Sequence, residues 1–342
     1  MENRNLEIKP QFQNRNTKRD INLDYIRSLA IVNVICIHSM GILNEKESVD
    51  ALSFFQSFFY SIYSTFIYTG VPLFVLLSGS LLLAKDEFVS SFYTKRFRRL
   101  LQPFFIWSLI AYILLSFKRG EGCSVFDFMK SFFSCGVHGI YWYVYMIIGL
   151  YLFTPFLRKL LVSCSRIEMS FFVGLLFFIN FTGFMIPDFS VSRRWVCSNS
   201  MFLFLFVYGY FCVSFLKYKP HFQFVSFSLF VVLSLLNFFK YLFRIEVIDV
   251  TPYLSICIFN LLVSLKLRED TLNARIVCFL SKISYGIYLS HFMIISFLCT
   301  RTSALHSVPL VCTPLVSLFV VLIVEMAVFK FVSISKLNHY FM

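Results

Sequence analysis

Three side chains that can do chemistry stand in the first long apolar run of the sequence, LDYIRSLAIVNVICIHSM at 23–40: Asp24, Arg27 and His38. An imidazole can take a proton from a hydroxyl near neutral pH, or carry an acyl group for a short time. A guanidinium holds phosphate or carboxylate through two parallel N–H donors. These residue types favour a site in which Arg27 binds the charged head of a long ligand and His38 meets its reactive end.

The spacing of these residues predicts one face of one helix. Arg27 and His38 are three helical turns apart, which places them about 16 Å from each other along the axis. Asp24 is three residues before Arg27, so it shares that face, and we expect it to orient Arg27 by ion pairing. Ionisable groups at membrane depth mark a pathway or a reaction centre by default. Two plainer interpretations stay open, namely interfacial pairing of Asp24 with Arg27 and a hydrogen-bonded interhelical role for His38.

The composition predicts that these residues are positioned by a bundle of membrane helices. Apolar residues form 58% of the 342 and charged residues 14%, and mean hydropathy is +0.75, whereas soluble domains are about 25% charged. We expect an all-α polytopic membrane protein of about ten transmembrane helices, with one domain at 23–333 between cytoplasmic tails at 1–22 and 334–342. The runs long enough to cross a bilayer lie near 24–43, 64–84, 101–117, 139–158, 168–187, 200–216, 222–243, 250–266, 283–300 and 309–331.

The charge distribution predicts the orientation of the bundle. Most of the 31 Lys and Arg residues fall before the first run, after the last one or in alternate loops, which favours cytoplasmic N- and C-termini. The net charge of +13 therefore needs no nucleic-acid partner. The ten cysteines form no CxxC and no Cys/His cluster, so we expect no metal site.

Two further segments are candidates for contact with a ligand. Ser78 and Gly79 follow Pro72, where we expect a kink, and their small size allows close approach of either a ligand or another helix. Arg96 and Arg99 belong to the basic segment KRFRRLLQP at 95–103, which suits either a phosphate-bearing ligand or anionic lipid.

Six landmarks along the chain carry a resemblance to a known family. They are R-x10-H at Arg27 and His38, VPLFVLLSG at 71–79, KRFRRLLQP at 95–103, WYVYMIIGLYLFTPFLR at 142–158, FVYGYF at 206–211 and ISYGIYLSHF at 283–292. In this order they resemble the acyltransferase-3 family of integral-membrane acyltransferases. The landmarks cover almost the whole chain.

The resemblance implies transfer of an acyl group, most often acetyl from acetyl-CoA, to a hydroxyl of a sugar or glycan such as O-antigen, capsule or exopolysaccharide. It also implies a multi-pass protein of the bacterial inner membrane. Carried over by position, His38 and Asp24 are the candidate catalytic residues. The candidate donor-binding residues are Arg27, Ser78, Gly79, Arg96 and Arg99. Direct attack of the acceptor and an acyl-histidine intermediate both stay open.

Other residues are weaker candidates for acceptor binding or support. Trp142, Tyr288 and His291 belong to the landmarks, although aromatic side chains also form interfacial belts. The family often has His-Leu-Trp before the fourth-span aromatics, where this chain has Ile-Tyr-Trp, so we expect His138 to be a loop histidine. The segment Arg193–Trp195 suits an acceptor or lipid headgroups. A transporter or flippase is the alternative function, followed by a structural partner in glycan assembly, and the sequence does not predict an oligomeric state.

Overall fold

The computed structural model describes residues 19–44, 53–185, 197–217, 219–244, 249–301 and 313–334. Within these ranges every regular element is helical, which confirms the all-α prediction. Short π-helical turns at Phe97–Leu101 and Cys212–Leu216 and a 3-10 turn at Gly139–Tyr141 interrupt or precede the longer helices. The α-helices are α1 (Ile21–Asn44), α2 (Phe54–Ile67), α3 (Gly70–Leu82), α4 (Val89–Arg96), α5 (Gln102–Arg119), α6 (Val125–Phe133), α7 (Trp142–Ser163), α8 (Arg166–Met185), α9 (Cys197–Phe211), α10 (Pro220–Phe243), α11 (Thr251–Ser264), α12 (Leu272–Arg301) and α13 (Thr313–Ile334).

Helices of membrane-spanning length dominate the described part of the chain. Six segments are long and apolar enough to cross a bilayer: Ile21–Gly41, Phe54–Leu82, Val89–Arg119, Gly139–Ser163, Pro220–Phe243 and Leu272–Ser296. Three shorter apolar helices lie at Ser200–Leu216, Thr251–Ser264 and Leu315–Ala327. Each of the ten predicted runs overlaps a helix, while the count of ten spans and the cytoplasmic location of both termini stay predictions.

Helix α1, which carries Asp24, Arg27 and His38, lies at the centre of the bundle. It packs against α3, α11, α12 and α13, and Ile26, Ala30 and Ile31 on it are fully buried. Because lipid chains are as apolar as these side chains, the contacts stabilise the bundle through van der Waals packing rather than through exclusion of water. The central position explains how polar residues of one apolar run can be enclosed by protein.

The kink expected at Pro72 is realised as a break between α2 and α3. Helix α2 ends at Ile67, a turn covers Tyr68 and Thr69, and α3 begins at Gly70. The proline ring would crowd the carbonyl of Tyr68 in a continuous helix, and in the first turn of α3 its missing N–H is not needed. The carbonyl of Phe66, in the last turn of α2, accepts from both the N–H of Thr69 at 3.0 Å and its hydroxyl at 2.6 Å.

Helices α3 and α9 approach each other more closely than their side chains would normally permit. A Cβ atom added to Gly79 would lie 1.7 Å from the carbonyl oxygen of Phe206, and one added to Gly209 would lie 2.0 Å from that of Leu76. Backbone contact of this kind needs small residues on both helices. Gly79 therefore fixes how α3 packs.

The end of the predicted N-terminal tail belongs to the bundle. The side-chain amide of Asn22 donates to the carbonyl oxygens of Leu262 and Val263 at 3.0 and 3.1 Å, and Asp20 forms an ion pair with Lys217 at 2.8 Å. The bonds of Asn22 add a donor to carbonyls in the last turn of α11, where a helix runs out of its own N–H donors. The remainder of the predicted tails, 1–18 and 335–342, lies outside the described residues.

Candidate active site

A cavity of about 350 Å³ lies beside the first turns of α1, within the size range of small-molecule sites. It collects the candidate residues Arg27, Ser78, Arg96, Arg99 and Tyr288, which come from separate parts of the chain. Helices α1, α3, α4 and α12 position them, together with the π-helical turn after α4. Five of the ten residues proposed from the sequence thus line this cavity.

The cavity is strongly cationic. Arg27, Arg96 and Arg99 line it together with Lys282, and no Asp or Glu is among the described residues that form its walls. Lys282 was missed by the sequence analysis, although a lysine at the edge of the apolar run 283–300 was a visible signal. Concentrated positive charge on low-dielectric walls attracts an anionic ligand, and guanidinium groups suit phosphates in particular.

The Arg27 side chain is held through a serine. Its Nη1 donates to the hydroxyl of Ser281 at 3.2 Å, and that hydroxyl donates to the Asp24 carboxylate at 2.6 Å. Among the described residues, Asp24 forms its ion pair with Arg19 rather than with Arg27, which corrects the expected pairing. Asp24 points towards α12, where Arg19 and Ser281 both donate to it, so it supports Arg27 only indirectly.

A carboxylate outside the cavity anchors the segment that carries Arg96. Glu87 pairs with Lys95 at 2.9 Å, with Arg158 at 3.1 Å and with Arg96 at 3.7 Å. Burial alone would raise the pKa of Glu87, but hydrogen bonds from Lys95 and Arg158 outweigh it and hold that pKa below its ordinary value. Arg158 is buried and donates to the carbonyl of Leu82 at 2.8 Å. Neither Glu87 nor Arg158 is among the residues proposed from the sequence, although an arginine inside an apolar run is itself a signal.

Two histidines face each other deeper in the bundle. The ring centroids of His38 and His291 are 5.2 Å apart, and His291 is fully buried. Its Nδ1 lies 3.0 Å from the carbonyl oxygen of Ile287 and 2.8 Å from that of Tyr288. The Tyr288 ring is 5.9 Å from that of His291 and also lines the cationic cavity. The histidine pair, His38 and His291, therefore adjoins the cavity.

A third histidine, His138, contacts a phenylalanine ring that also contacts His38. The rings of His138 and Phe292 are 4.2 Å apart, and Phe292 is 6.3 Å from His38. His138 precedes the short 3-10 turn, as expected for a loop residue, and its Nδ1 accepts from the N–H of Ile140 at 3.3 Å. Burial lowers the pKa of His138, which favours a neutral ring beside Phe292.

Gly79 and Trp142 belong neither to the cavity nor to the histidine pair. Gly79 forms the backbone contact with α9 and so contributes to packing, while its part in donor binding stays a prediction. Trp142 is 45% exposed and contacts Phe202 at 5.7 Å. Both were chosen by position in a landmark, which does not indicate which way a side chain points. The segment Arg193–Trp195 lies outside the described residues.

A buried acid near the histidine pair was also missed. Glu325 is 5% exposed on α13 and accepts a hydrogen bond from Ser290, the neighbour of His291. It is the single charged residue in the run TPLVSLFVVLIVEMAVF. An isolated acid in such a run is a candidate functional residue by default, so the signal was present in the sequence.

Comparison with known proteins gives one finding. The model of the acyltransferase-3 family, described as an acyltransferase domain, matches residues 20–330. The curated proteins and the solved structures gave no match. The match includes both the cationic cavity and the histidine pair, and with several helices long enough to cross a bilayer it favours an acyltransferase over a transporter. The chain belongs to the acyltransferase-3 family of membrane acyltransferases.

Proposed function

We propose that this protein transfers an acyl group, acetyl in the first instance, from cytoplasmic acyl-CoA to a hydroxyl of a sugar or glycan. O-antigen, capsule and exopolysaccharide are the acceptor classes, and the bacterial inner membrane is the location. The observation that carries the proposal is the cavity lined by Arg27, Arg96, Arg99 and Lys282 beside the histidine pair. It combines a site for an anionic head with a group able to move a proton or an acyl unit.

The donor would extend from the cavity to His38. The phosphates of acetyl-CoA would meet the guanidinium groups of Arg27, Arg96 and Arg99, with Ser78 at the same wall. His38 lies about 16 Å further along α1, a distance suited to the extended arm between the phosphates and the thioester of CoA. Tyr288 borders both regions, which supports a path between them.

The proposed reaction uses His38 as the proton carrier. In direct transfer, His38 takes the proton of the acceptor hydroxyl while the hydroxyl oxygen bonds to the thioester carbon. The C–S bond then breaks, and the departing sulfur receives that proton. In the two-step route, a His38 nitrogen attacks the thioester carbon, the C–S bond breaks and CoA leaves as the thiolate. The acceptor oxygen then attacks the acyl carbon, the C–N bond to His38 breaks, and the proton of the hydroxyl is released to neutralise the thiolate. Both routes yield the O-acyl product and CoA.

Asp24 has a narrower role in this scheme than the sequence suggested. It lies 14 residues before His38 on a continuous helix, about 21 Å away along the axis, so the two cannot act on the same atom. Its hydrogen bond from Ser281 instead supports the position of Arg27. Tyr288 and His291 are supporting residues, and exposed Trp142 suits contact with a lipid-linked acceptor.

The decisive experiment uses purified protein in lipid nanodiscs with acetyl-CoA radiolabelled in the acetyl group. A cell-surface glycan extract provides the acceptor. The wild type should release CoA and label the glycan, while His38→Ala should do neither. His221→Ala is the matched control because His221 is exposed at the start of α10, and it should behave as the wild type.

Two results would contradict the proposal. Folded wild-type protein that neither binds nor consumes acetyl-CoA in the presence of the extract would exclude it as the donor. Wild-type turnover by His38→Ala would remove His38 from the reaction. Label that stays on wild-type protein and chases to the glycan would select the acyl-histidine route.

A further inference from the structure

The hydrogen bonds of His291 determine which of its nitrogens carries the proton. Nδ1 lies within hydrogen-bond distance of two carbonyl oxygens, those of Ile287 and Tyr288. A carbonyl oxygen only accepts, so Nδ1 must be the N–H donor. In the neutral ring the other nitrogen, Nε2, is then an acceptor with a free lone pair.

That lone pair has no partner among the described residues. Nε2 of His291 is a buried atom without a hydrogen bond, and a buried polar atom left unpaired destabilises the folded protein. The bundle would be more stable with a donor directed at it. An unpaired buried polar atom in a native structure calls for an explanation, and a catalytic role is one.

His38 is the donor best placed to supply this bond. Among the described residues, two rings contact His291, those of His38 and Tyr288. The Tyr288 hydroxyl already donates to the carbonyl of Ile140. With ring centroids 5.2 Å apart, nitrogens that faced each other would be separated by about 3 Å, a hydrogen-bond distance. The χ2 angle of histidine is broad, so the tilted His38 ring can turn a nitrogen towards His291.

We propose that His291 is a positioning residue whose Nε2 accepts a hydrogen bond from a ring N–H of His38, leaving the other His38 nitrogen unprotonated towards the substrates. The consequence for catalysis rests on the proposed acyltransferase function. The carbonyls of Ile287 and Tyr288 fix the tautomer of His291, and His291 in turn fixes the tautomer of His38. This chain of bonds uses backbone oxygens where other enzymes use a carboxylate to orient a catalytic histidine.

The arrangement also favours the charged intermediate of the reaction. When His38 accepts a proton from the acceptor hydroxyl, its ring becomes an imidazolium, and the bond to His291 becomes charge-assisted and stronger. A bond that strengthens during the reaction lowers the barrier rather than the substrate KM. The loss of His291 should therefore reduce kcat and leave donor binding unchanged.

The kinetic part of the test compares two substitutions. His291→Phe keeps a ring but removes both nitrogens, and we expect kcat to fall about 10- to 100-fold, the range for a hydrogen bond to a charged group. His291→Gln retains a side-chain acceptor near the position of Nε2, so we expect most of the activity to return. The Kd for acetyl-CoA should be unchanged in both, which also shows that each variant is folded.

The spectroscopic part needs no turnover. Solid-state NMR of protein labelled with ring ¹⁵N-histidine in lipid should show His38 in one tautomer with a hydrogen-bonded N–H. The chain has six histidines, so the signal is assigned by its disappearance in His38→Asn. His291→Phe should convert His38 to a mixture of tautomers, and His291→Gln should restore the single form.

The outcomes separate this inference from the proposed function. A mixture of His38 tautomers in the wild type would overturn the inference, even if acetyl transfer occurs. An unchanged single tautomer in His291→Phe would also overturn it. A single tautomer that depends on His291, in protein that does not turn over acetyl-CoA, would support the pairing and contradict the acyltransferase proposal instead.

Discussion

The cationic cavity and the histidine pair lie at two levels of one bundle and are built in opposite ways. The cavity gathers four cations from three separate segments around about 350 Å³ of open space. The histidine pair brings two rings to 5.2 Å, with one of them fully buried among backbone carbonyls. The first arrangement suits capture of a large anion, because charge acts over several ångströms. The second suits proton transfer, which requires orientation within hydrogen-bond distance.

The largest expected effects come from comparing one substitution in the histidine pair with one in the cavity. We expect His38→Ala to lower kcat by about 10²- to 10⁴-fold, the usual contribution of a general base, with no change in the Kd for acetyl-CoA. We expect Arg27→Ala to raise that Kd by about 10- to 100-fold, because charge-assisted bonds to phosphate are lost. Binding of labelled acetyl-CoA to nanodiscs and single-turnover transfer measure the two quantities separately.

Two results would contradict the separate roles of the cavity in donor binding and of the histidine pair in the reaction. If His38→Ala weakened donor binding as much as Arg27→Ala does, the two regions would form one binding site. If Arg27→Ala lowered single-turnover rates at saturating acetyl-CoA to the level of His38→Ala, Arg27 would belong to the reacting centre. Either outcome would require the donor to lie deeper than the cavity.

The second prediction concerns the ion pairs of Glu87, which support the segment that carries Arg96. Glu87→Gln removes the negative charge from beside Arg158, whose side chain is buried, so we expect the free energy of unfolding to fall by about 1–3 kcal/mol. The histidine pair lies elsewhere in the bundle, so the His38 tautomer should be unchanged. Thermal unfolding in nanodiscs measures the loss, and Asp86→Asn is the matched control because the neighbouring Asp86 is exposed.

The same ion pairs predict a dependence on pH. The pKa of Glu87 is lowered in the folded protein, so its contribution to stability is complete above the ordinary pKa of glutamate, about 4.3. The contribution is lost as the pH falls through the lower folded value. The difference in unfolding temperature between wild type and Glu87→Gln should therefore be large at pH 7 and shrink in acid. A difference that grows in acid would contradict this sign.

The sequence predicted the cavity better than it predicted the histidine pair. Arg27, Arg96 and Arg99 were recognisable because charges stand out in or beside apolar runs, and a charge has few inexpensive positions in a membrane. Tyr288 and His291 were proposed from a landmark, but nothing in ISYGIYLSHF shows that the His291 ring faces His38. That contact depends on how α1 and α12 pack, a long-range fact that helical periodicity does not contain.

Other differences between the sequence-based predictions and the structure also depend on contacts between distant segments. Asp24 was paired with Arg27 because residues three apart on a helix are neighbours, but Ser281 and Arg19 offer Asp24 better-directed donors. Gly79 is predicted to bind the donor because it sits beside Ser78, and the structure adds a packing role, since the backbone of α9 fills the space where a Cβ atom would lie. Glu325 and Lys282 were visible as charges, and were missed because no landmark included them.

A smaller effect distinguishes two neighbouring arginines. Arg99 lines the cavity and Arg98 does not, although both are exposed and belong to the same π-helical turn. We expect Arg99→Ala to weaken acetyl-CoA binding about fivefold, since an exposed charge contributes up to about 1 kcal/mol, and Arg98→Ala to have little effect. Equal losses would indicate a diffuse attraction to the basic segment rather than a defined cavity.

The smallest effect tests the serine between Asp24 and Arg27. Ser281→Ala removes the hydroxyl that accepts from Arg27 and donates to Asp24, while both charges stay in place. We expect the Kd for acetyl-CoA to rise about twofold, the lower end of the contribution of one hydrogen bond. Ser281→Thr restores the hydroxyl and should restore affinity. Ser281 also lines the cavity, and the double mutant tests whether it acts through Arg27. If it does, Ser281→Ala should add nothing in the background of Arg27→Ala, whereas additive losses would show that Ser281 contacts the donor itself.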